Sequence, residues 1–515
     1  MRSGKPAHVF DRHAEWDALA AFACRTRPHA MLGIVSGRRR MGKTYLLRAL
    51  VEQQGGFYFG ATAATEAESL RQFAAALADH VGSPAPFAFA TWDDAISFLF
   101  GLAAPRNSRE PLLAVIDEFP YLAKTAPELP SIIQREVDRF QVEESRMRLL
   151  LCGSAMSVMG GLLASTAPLR GRAQLELVVR PFGYRSAADF WEVADVPALA
   201  ARLHAVVGGT PAYRRQFLGD DVPSRLEEFD GWICSTVLSP FSPLFREARY
   251  LLAEEADIRD TSLYHSVLAA VAQGNSTRGG IAGYIGRKSV DISHPLHVLE
   301  DSHLLAREAD IFRAGKSVYR VTEPLINFYE VVMRPAWARL ESGQAREVWA
   351  HSAERFAAQV VGPHFETVCR EYILGPGRAL LRSALGEVGS GVVTDPVARR
   401  QTQIDVAVVE PGAGGRKQAV HLLGEVKWGT VMGLSHLERL ARAREVLTAR
   451  GMDTSRCQLA CFSGAGFSDS LRSEVAREAG DGDDVLLIGL DELYGGPFRA
   501  APIDRASGTE RARDT

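Results

Sequence analysis

The sequence predicts an α/β fold built on a parallel sheet, and three stretches carry that prediction. Met31-Leu32-Gly33-Ile34-Val35-Ser36 is an apolar run that feeds Gly37-x-x-x-x-Gly42-Lys43-Thr44 and then the helical pattern Tyr45-Leu46-Leu47-Arg48-Ala49-Leu50. Leu112-Leu113-Ala114-Val115-Ile116 is a second buried-strand run and ends in Asp117-Glu118. Arg148-Leu149-Leu150-Leu151 is a third and ends in Cys152-Gly153-Ser154. A strand, a glycine loop with Gly-Lys-Thr and a helix, in that order, is the context of a phosphate-binding P-loop.

The loop comes first because its chemistry is the most specific. Glycines at 37 and 42 let consecutive N–H groups point into one concavity, where the positive end of the following helix adds to their pull on β- and γ-phosphates. Lys43 supplies a charge and Thr44 a hydroxyl for Mg²⁺. The expected nucleotide contacts are Gly37, Arg38, Arg39, Arg40, Met41, Gly42, Lys43, Thr44 and Tyr45. The triple arginine has no assigned role: a solvated basic loop tip requires no further assumption, whereas sensing phosphate, an acidic partner or nucleic acid does.

At the end of its strand, Asp117 is placed to hold Mg²⁺ through water and Glu118 to polarise the water that attacks the γ-phosphate. Alone, an apolar run before Asp-Glu is a weak signal. Its separation from the loop leaves room for an intervening strand and helix, Phe57–Ala61 and Glu66–Asp79, and the pair becomes strong. Ser154 sits where a polar sensor would touch the γ-phosphate or the water, or else caps the next helix. Arg172, in Pro168-Leu169-Arg170-Gly171-Arg172 before the strand Leu175–Val179, is the preferred candidate to stabilise transition-state charge, against the default of a surface arginine. Upstream, Arg12 and Glu15 precede the first strand and either border an adenine pocket or start a solvated helix, Trp16–Phe22.

The bulk numbers bound the rest. A chain of 515 residues is too long for one core. With 46% hydrophobic and 23% charged residues it reads as globular. A net charge of −3 gives no global attraction to nucleic acid, so any such binding needs a local patch. Of the cysteines at 24, 152, 234, 369, 457 and 461 only the last two are near each other, which argues against a zinc or disulfide framework and fits a reducing cytosol. The N-terminus carries no apolar signal segment and no run has membrane-spanning length, so the expectation is a cytoplasmic protein with no membrane partner.

From Ser186 to Phe245 the pattern turns helical, interrupted by Val207-Gly208-Gly209-Thr210-Pro211-Ala212-Tyr213, a turn that either places Pro211 against an adenine ring or only joins helices. Helices over 262–272, 278–285 and 291–302, then short strands at 304–308 and 317–321, fit a winged helix-turn-helix. The third helix is acidic where a DNA reader carries Arg, Lys, Asn or Gln, so an intramolecular or protein-binding role is expected. Pro324 suits the first turn of a further helix ending by Arg334.

Past about residue 350 the order becomes helix (Phe356–Leu374), strand (Gln403–Val409), strand (His421–Trp428), helix (Leu434–Leu447) and strand (Gln458–Phe462). Asp405 and Glu425-x-Lys427 have the arrangement of a metal-dependent nuclease centre. Carboxylates on adjacent strands hold Mg²⁺, and period-two alternation puts Glu425 and Lys427 on one face. Glu366 on the preceding helix completes an acidic set, so the candidate metal ligands here are Glu366, Asp405 and Glu425. Arg399, Arg400 and Gln401 are placed to meet a phosphate backbone. The pattern is permissive, and coincidental surface charge is its plain alternative.

Taken together, Gly-Arg-Arg-Arg-x-Gly-Lys-Thr at 37–44, Ile-Asp-Glu-Phe-Pro-Tyr-Leu at 116–122, Cys-Gly-Ser at 152–154, Pro-Leu-x-Gly-Arg at 168–172 and Gly-Gly-x-Pro-x-Tyr at 208–213 resemble the archaeal-type ATPases of the STAND/AAA-like P-loop superfamily. The Ile-Asp-Val and Gly-Glu-Val-Lys-Trp strands resemble the restriction-endonuclease-like domain that often accompanies them. The resemblance implies an ASCE-type ATPase core with Lys43, Thr44, Asp117 and Glu118 in the nucleotide-site roles, a helical lid, a winged helix and a PD-(D/E)xK-like domain. Arg170 departs from the family, which commonly has an aromatic residue there, and leaves the choice of arginine finger open.

The expected division is a core over 1–184, lid 185–250, winged helix 251–322, connecting helix 323–350, nuclease-like domain 351–500 and disordered tail 501–515. The expected ligands are ATP and Mg²⁺. The expected function is an ATPase switch coupled to the C-terminal domain; an ATP-regulated DNA or RNA nuclease and a non-catalytic nucleotide-gated scaffold, acting through a protein partner or self-association, are the rivals.

Overall fold

The computed structural model describes residues 4–104, 110–164, 166–253, 261–382, 386–411, 418–478 and 485–495. The tail expected to be disordered, 501–515, lies outside the described residues.

The first sheet contains β1 (Met31–Ser36), β2 (Phe57–Gly60), β3 (Leu112–Asp117), β4 (Met147–Gly153) and β5 (Ala173–Val178), all parallel, in the order β2-β3-β4-β1-β5. Every residue of β1 and β4 is buried, which is why both read as unbroken apolar runs rather than alternating ones. Apolar cores on the two faces, one built around Phe57, Phe73 and Phe119 and the other around Trp16, Leu47 and Val115, explain that burial. The strand order has a direct consequence for chemistry. β4 lies between β1 and β3, so the residue after β4 falls between the loop after β1 and the carboxylates after β3.

Beyond the sheet, the segments expected as lid, winged helix and connecting helix share a single apolar core running from Phe182 to Val361. Helices Thr261–Ala272, Arg278–Ile285 and Ser293–Asp301 are followed by the antiparallel hairpin β6 (Leu305–Ala309) and β7 (Ser317–Val321), in the order anticipated from the sequence. The acidic helix Ser293–Asp301 buries Pro295, Leu296, Val298 and Leu299 and packs on Met156–Gly161 of the first domain.

The C-terminal sheet runs β12-β11-β10-β9-β8, with β8 (Glu387–Asp395), β9 (Arg400–Glu410) and β10 (Ala419–Lys427) antiparallel and β11 (Gln458–Ser463) and β12 (Val485–Ile488) continuing in parallel. Helix Gly362–Leu374 covers one face and Leu434–Ala449 the other. The sequence reading has neither β8 nor β12. Glycine and serine at 389–391 erase the alternation of β8, and β12 has only four residues. The single helix expected over Phe356–Leu374 is in fact Ala345–Phe356, a π-helical turn Ala357–Val361 and Gly362–Leu374, with Pro363 in the first turn of the last.

The hairpin is fastened to this sheet. Ile311 N–H donates to Ser390 O at 3.0 Å, and Asp310 accepts from Val392 N–H at 3.2 Å. A Cβ on Gly391 would lie 2.6 Å from Asp310 Oδ1, so only glycine permits the approach.

Candidate functional site

The loop after β1 has the backbone its glycines predict. Gly37 has φ 147° and Gly42 φ 83°, and a Cβ on Gly37 would sit 2.4 Å from Val179 O. Gly42 is the residue before the helix Lys43–Gln54. Lys43 Nζ donates back to Gly37 O at 2.6 Å and Arg38 O at 2.9 Å, and burial pulls its pKa down.

On the opposite wall, Thr44 Oγ1 donates to Asp117 Oδ2 at 2.6 Å, and Tyr58 Oη, from β2, donates to the same oxygen at 2.7 Å. Asp117 Oδ1 accepts from Glu118 N–H at 2.9 Å. Glu118 itself has a left-handed backbone, φ 53°, one residue before a helix, and both its carboxylate oxygens accept from Ser154 Oγ at 2.9 Å. A non-glycine residue in that region costs energy, which places strain at the residue proposed for chemistry. Burial, then the charge of Asp117, push the Tyr58 phenol up, so it stays a donor. Tyr58 is absent from the sequence reading; its position on β2, whose Gly60 pairs with Asp117, is the signal that points to it.

These groups fit a nucleoside triphosphate with Mg²⁺. The ammonium donates to loop carbonyls at the helix start, and the hydroxyl–carboxylate pair needed for a hard cation is already formed.

Other predicted residues fall as follows. Arg12 bonds Glu15 at 2.9 Å and Met41 O at 3.2 Å, and its guanidinium lies 4.5 Å from the centre of the Phe182 ring, so it buttresses the loop. Met41 is buried, and Tyr45 is half exposed with its hydroxyl on His8 O at 3.2 Å. Pro211 Cγ lies 3.9 Å from the Cβ position of Gly42, so the lid turn touches the loop. Arg172 forms a bidentate pair with Asp138, 2.7 Å for each bond.

The three loop arginines are not a solvated tip. Arg38 is 8% exposed and pairs with Glu323, Arg39 donates to Tyr121 Oη at 2.9 Å, and Arg40 pairs with Glu247 at 2.6 Å. The correction has a physical reason: helix Leu244–Ala253 and the residue before helix Pro324–Phe328 bring the buried carboxylates Glu247 and Glu323 to the loop.

Behind the loop a cavity of about 860 Å³ runs from Gly37, Arg38 and Met41 to Glu366 and Gln403 of the C-terminal domain. In that domain, beside the cavity wall at Gln403, Asp405 Oδ2 accepts from Val426 N–H at 2.9 Å and Oδ1 from Gln403 at 3.0 Å. Glu425 Oε1 is held by Lys427 at 3.2 Å and Arg439 at 2.9 Å. Lys427, Asp405 and Glu425 are therefore gathered on one patch, and Glu366 joins them electrostatically. They do not make a ready cage: among the described residues no group of three His, Cys, Asp or Glu could hold a metal ion. Two cations on Glu425 account for its unavailability in this arrangement. Arg439 and Gln403 are partners that the sequence pattern does not reveal.

Burial and then the charge of Asp405 push Glu366 up to about 7 from an ordinary 4.5. The folded state thus binds a proton that the unfolded state has lost, and stability falls as pH rises from about 4.5 to about 7. Glu366→Gln should flatten that part of the stability profile, read as denaturation midpoint against pH.

With this geometry in place, comparison with known proteins bears mainly on the first domain. Residues 9–207 match the family model of an ATPase domain found predominantly in Archaea. This part of the chain is similar to that family. A protein of Methanocaldococcus jannaschii described as uncharacterized is 27% identical over 350 residues, covering 66% of this chain and 72% of its own. Among solved structures, a Walker-type ATPase of Pyrococcus abyssi matches with 18% identity and TM-score 0.43, over 64% of this chain and 98% of its own. The ORC2 protein of Aeropyrum pernix, solved in ADPNP–ADP complexes, matches with 15% identity and TM-score 0.40, over 68% and 98%. Among the described residues no helix is long and apolar enough to cross a membrane.

Proposed function

We propose that the protein is a Mg²⁺-dependent ATPase switch, in which the nucleotide state at 37–44 changes what the C-terminal domain can engage. The observation that carries this reading is the unbroken hydrogen-bond chain Thr44–Asp117–Glu118–Ser154, which aligns a cation site and a base at the ends of β3 and β4. Lys43 and the loop N–H groups bind and orient the phosphates, Glu118 takes the proton of the attacking water, and Ser154 holds Glu118 in place. Mg²⁺, held through Thr44 and Asp117, would offset the charge that develops on the phosphates. Pro211, beside Gly42, covers one side of the loop. Arg172 is engaged by Asp138, so its use as an arginine finger requires that pair to open, and Arg170 stays a candidate beside it.

We read residues 251–322 as a winged helix used internally, because its acidic third helix is packed on the ATPase domain. The C-terminal sheet with Asp405, Glu425 and Lys427 supports a second reading, a PD-(D/E)xK-like nuclease acting on DNA or RNA. The pairing of Glu425 with Lys427 at 3.2 Å, on the strand whose Val426 N–H bonds Asp405, favours it. The deciding experiment measures phosphate release and cleavage of plasmid, linear and single-stranded substrates side by side with Mg²⁺ or Mn²⁺. An active nuclease is cut off by Asp405→Ala while phosphate release persists. Equal cleavage by both proteins marks contamination, and its absence from the wild type leaves a C-terminal domain that binds without cutting.

A further inference from the structure

The P-loop arginines reach into a buried ionic cluster that no nucleotide contact requires. Arg38 pairs with Glu323, which is 1% exposed, and Arg40 pairs with Glu247, also 1% exposed. Tyr213, from the Gly-Gly-x-Pro-x-Tyr turn, lies between the pairs, with Oη 3.4 Å from Glu247 and its phenol subject to all four charges. Each acid belongs to a different element. Glu247 is on the lid helix Leu244–Ala253, and Glu323 joins β7 to the helix that starts at Pro324.

The Arg38 pair is also half-made. Arg38 Nη1 and Glu323 Oε1 are buried with no hydrogen-bond partner, although either could serve a bidentate bond. A guanidinium prefers a bidentate anion, and phosphate oxygens offer that geometry as well as a carboxylate does. Arg40 is held in a left-handed backbone, φ 69°, a conformation that persists only while its surroundings enforce it.

We infer that Arg38 and Arg40 form an ionic latch read by the nucleotide: a bound triphosphate takes the two guanidiniums from Glu323 and Glu247, and the freed carboxylates release the lid helix and the β7 joint. A buried carboxylate stripped of its partner is strongly unfavourable, so the acids cannot stay where they are. Because the hairpin tip is clasped to β8 through Asp310, release at Glu323 reaches the C-terminal sheet along one continuous element. The inference rests on the reading of 37–44 as an ATP site.

The test is hydrogen exchange on the full-length protein, without nucleotide, with ADP and with a non-hydrolysable ATP analogue, together with dissociation constants for Glu323→Gln and Arg38→Ala. The expected result is at least about fivefold faster exchange over 244–252 and 322–333 with the ATP analogue, at the low end of ordinary coupling between sites. Glu323→Gln, which removes the competitor, binds the analogue at least about fivefold more tightly, and Arg38→Ala loses the exchange response over 322–333. Analogue binding with unchanged exchange in both segments overturns the latch and leaves the ATP site standing. Failure of the wild type to bind any nucleotide overturns both. If Glu323→Gln does not fold, wild-type exchange decides alone.

Discussion

Glu118→Gln protein is expected to bind ATP as the wild type does and to release phosphate about 10²–10⁴-fold more slowly, the range for loss of a positioned base. The expectation follows from what the substitution keeps. Gln retains the shape of Glu118 and an oxygen to accept from Ser154 Oγ, now 2.9 Å from both carboxylate oxygens, so the strained turn at φ 53° keeps its anchor. It removes only the ability to take a proton. Steady-state phosphate release and equilibrium nucleotide binding, measured on the same preparation, separate the two effects. Parallel losses in binding and turnover would instead make Glu118 a structural cap for the helix Phe119–Thr125.

How far the sequence reveals this site depends on distance along the chain. Gly37 to Thr44 and Asp117-Glu118 are legible because a loop between a strand and a helix specifies its own conformation, and because buried parallel strands are apolar throughout. Ser154 is legible as a position, but its bond to Glu118 depends on β4 lying between β1 and β3, which no local pattern states. The partners of the loop arginines are not legible at all: Glu323 lies 285 residues from Arg38, and an isolated glutamate before Pro324 has no motif. For the same reason the pairing of Arg172 with Asp138, on a helix the sequence reading does not include, is not legible. In the C-terminal domain, alternation marks β9 and β10 and gathers Asp405, Glu425 and Lys427, whereas β8 is hidden by the glycines that let the hairpin dock. Local rules thus define the nucleotide cradle, and tertiary closure decides what surrounds it.

The central claim is that residues 37–44 bind ATP through Lys43. That ammonium now bonds Gly37 O and Arg38 O, carbonyls of the loop itself, and stands at the helix start, where it is placed to meet β- and γ-phosphates. Lys43→Ala removes it and leaves the glycine backbone and the apolar neighbours Leu46 and Leu47 intact, so the protein should fold. The direct measurement is thermal unfolding of wild type and Lys43→Ala with and without Mg²⁺·ATP. At a ligand concentration one hundred times the dissociation constant, the wild type should gain about 2.7 kcal/mol and a higher midpoint, and Lys43→Ala at the same concentration should gain almost none. An equal shift in both proteins, or none in the wild type, would contradict the account.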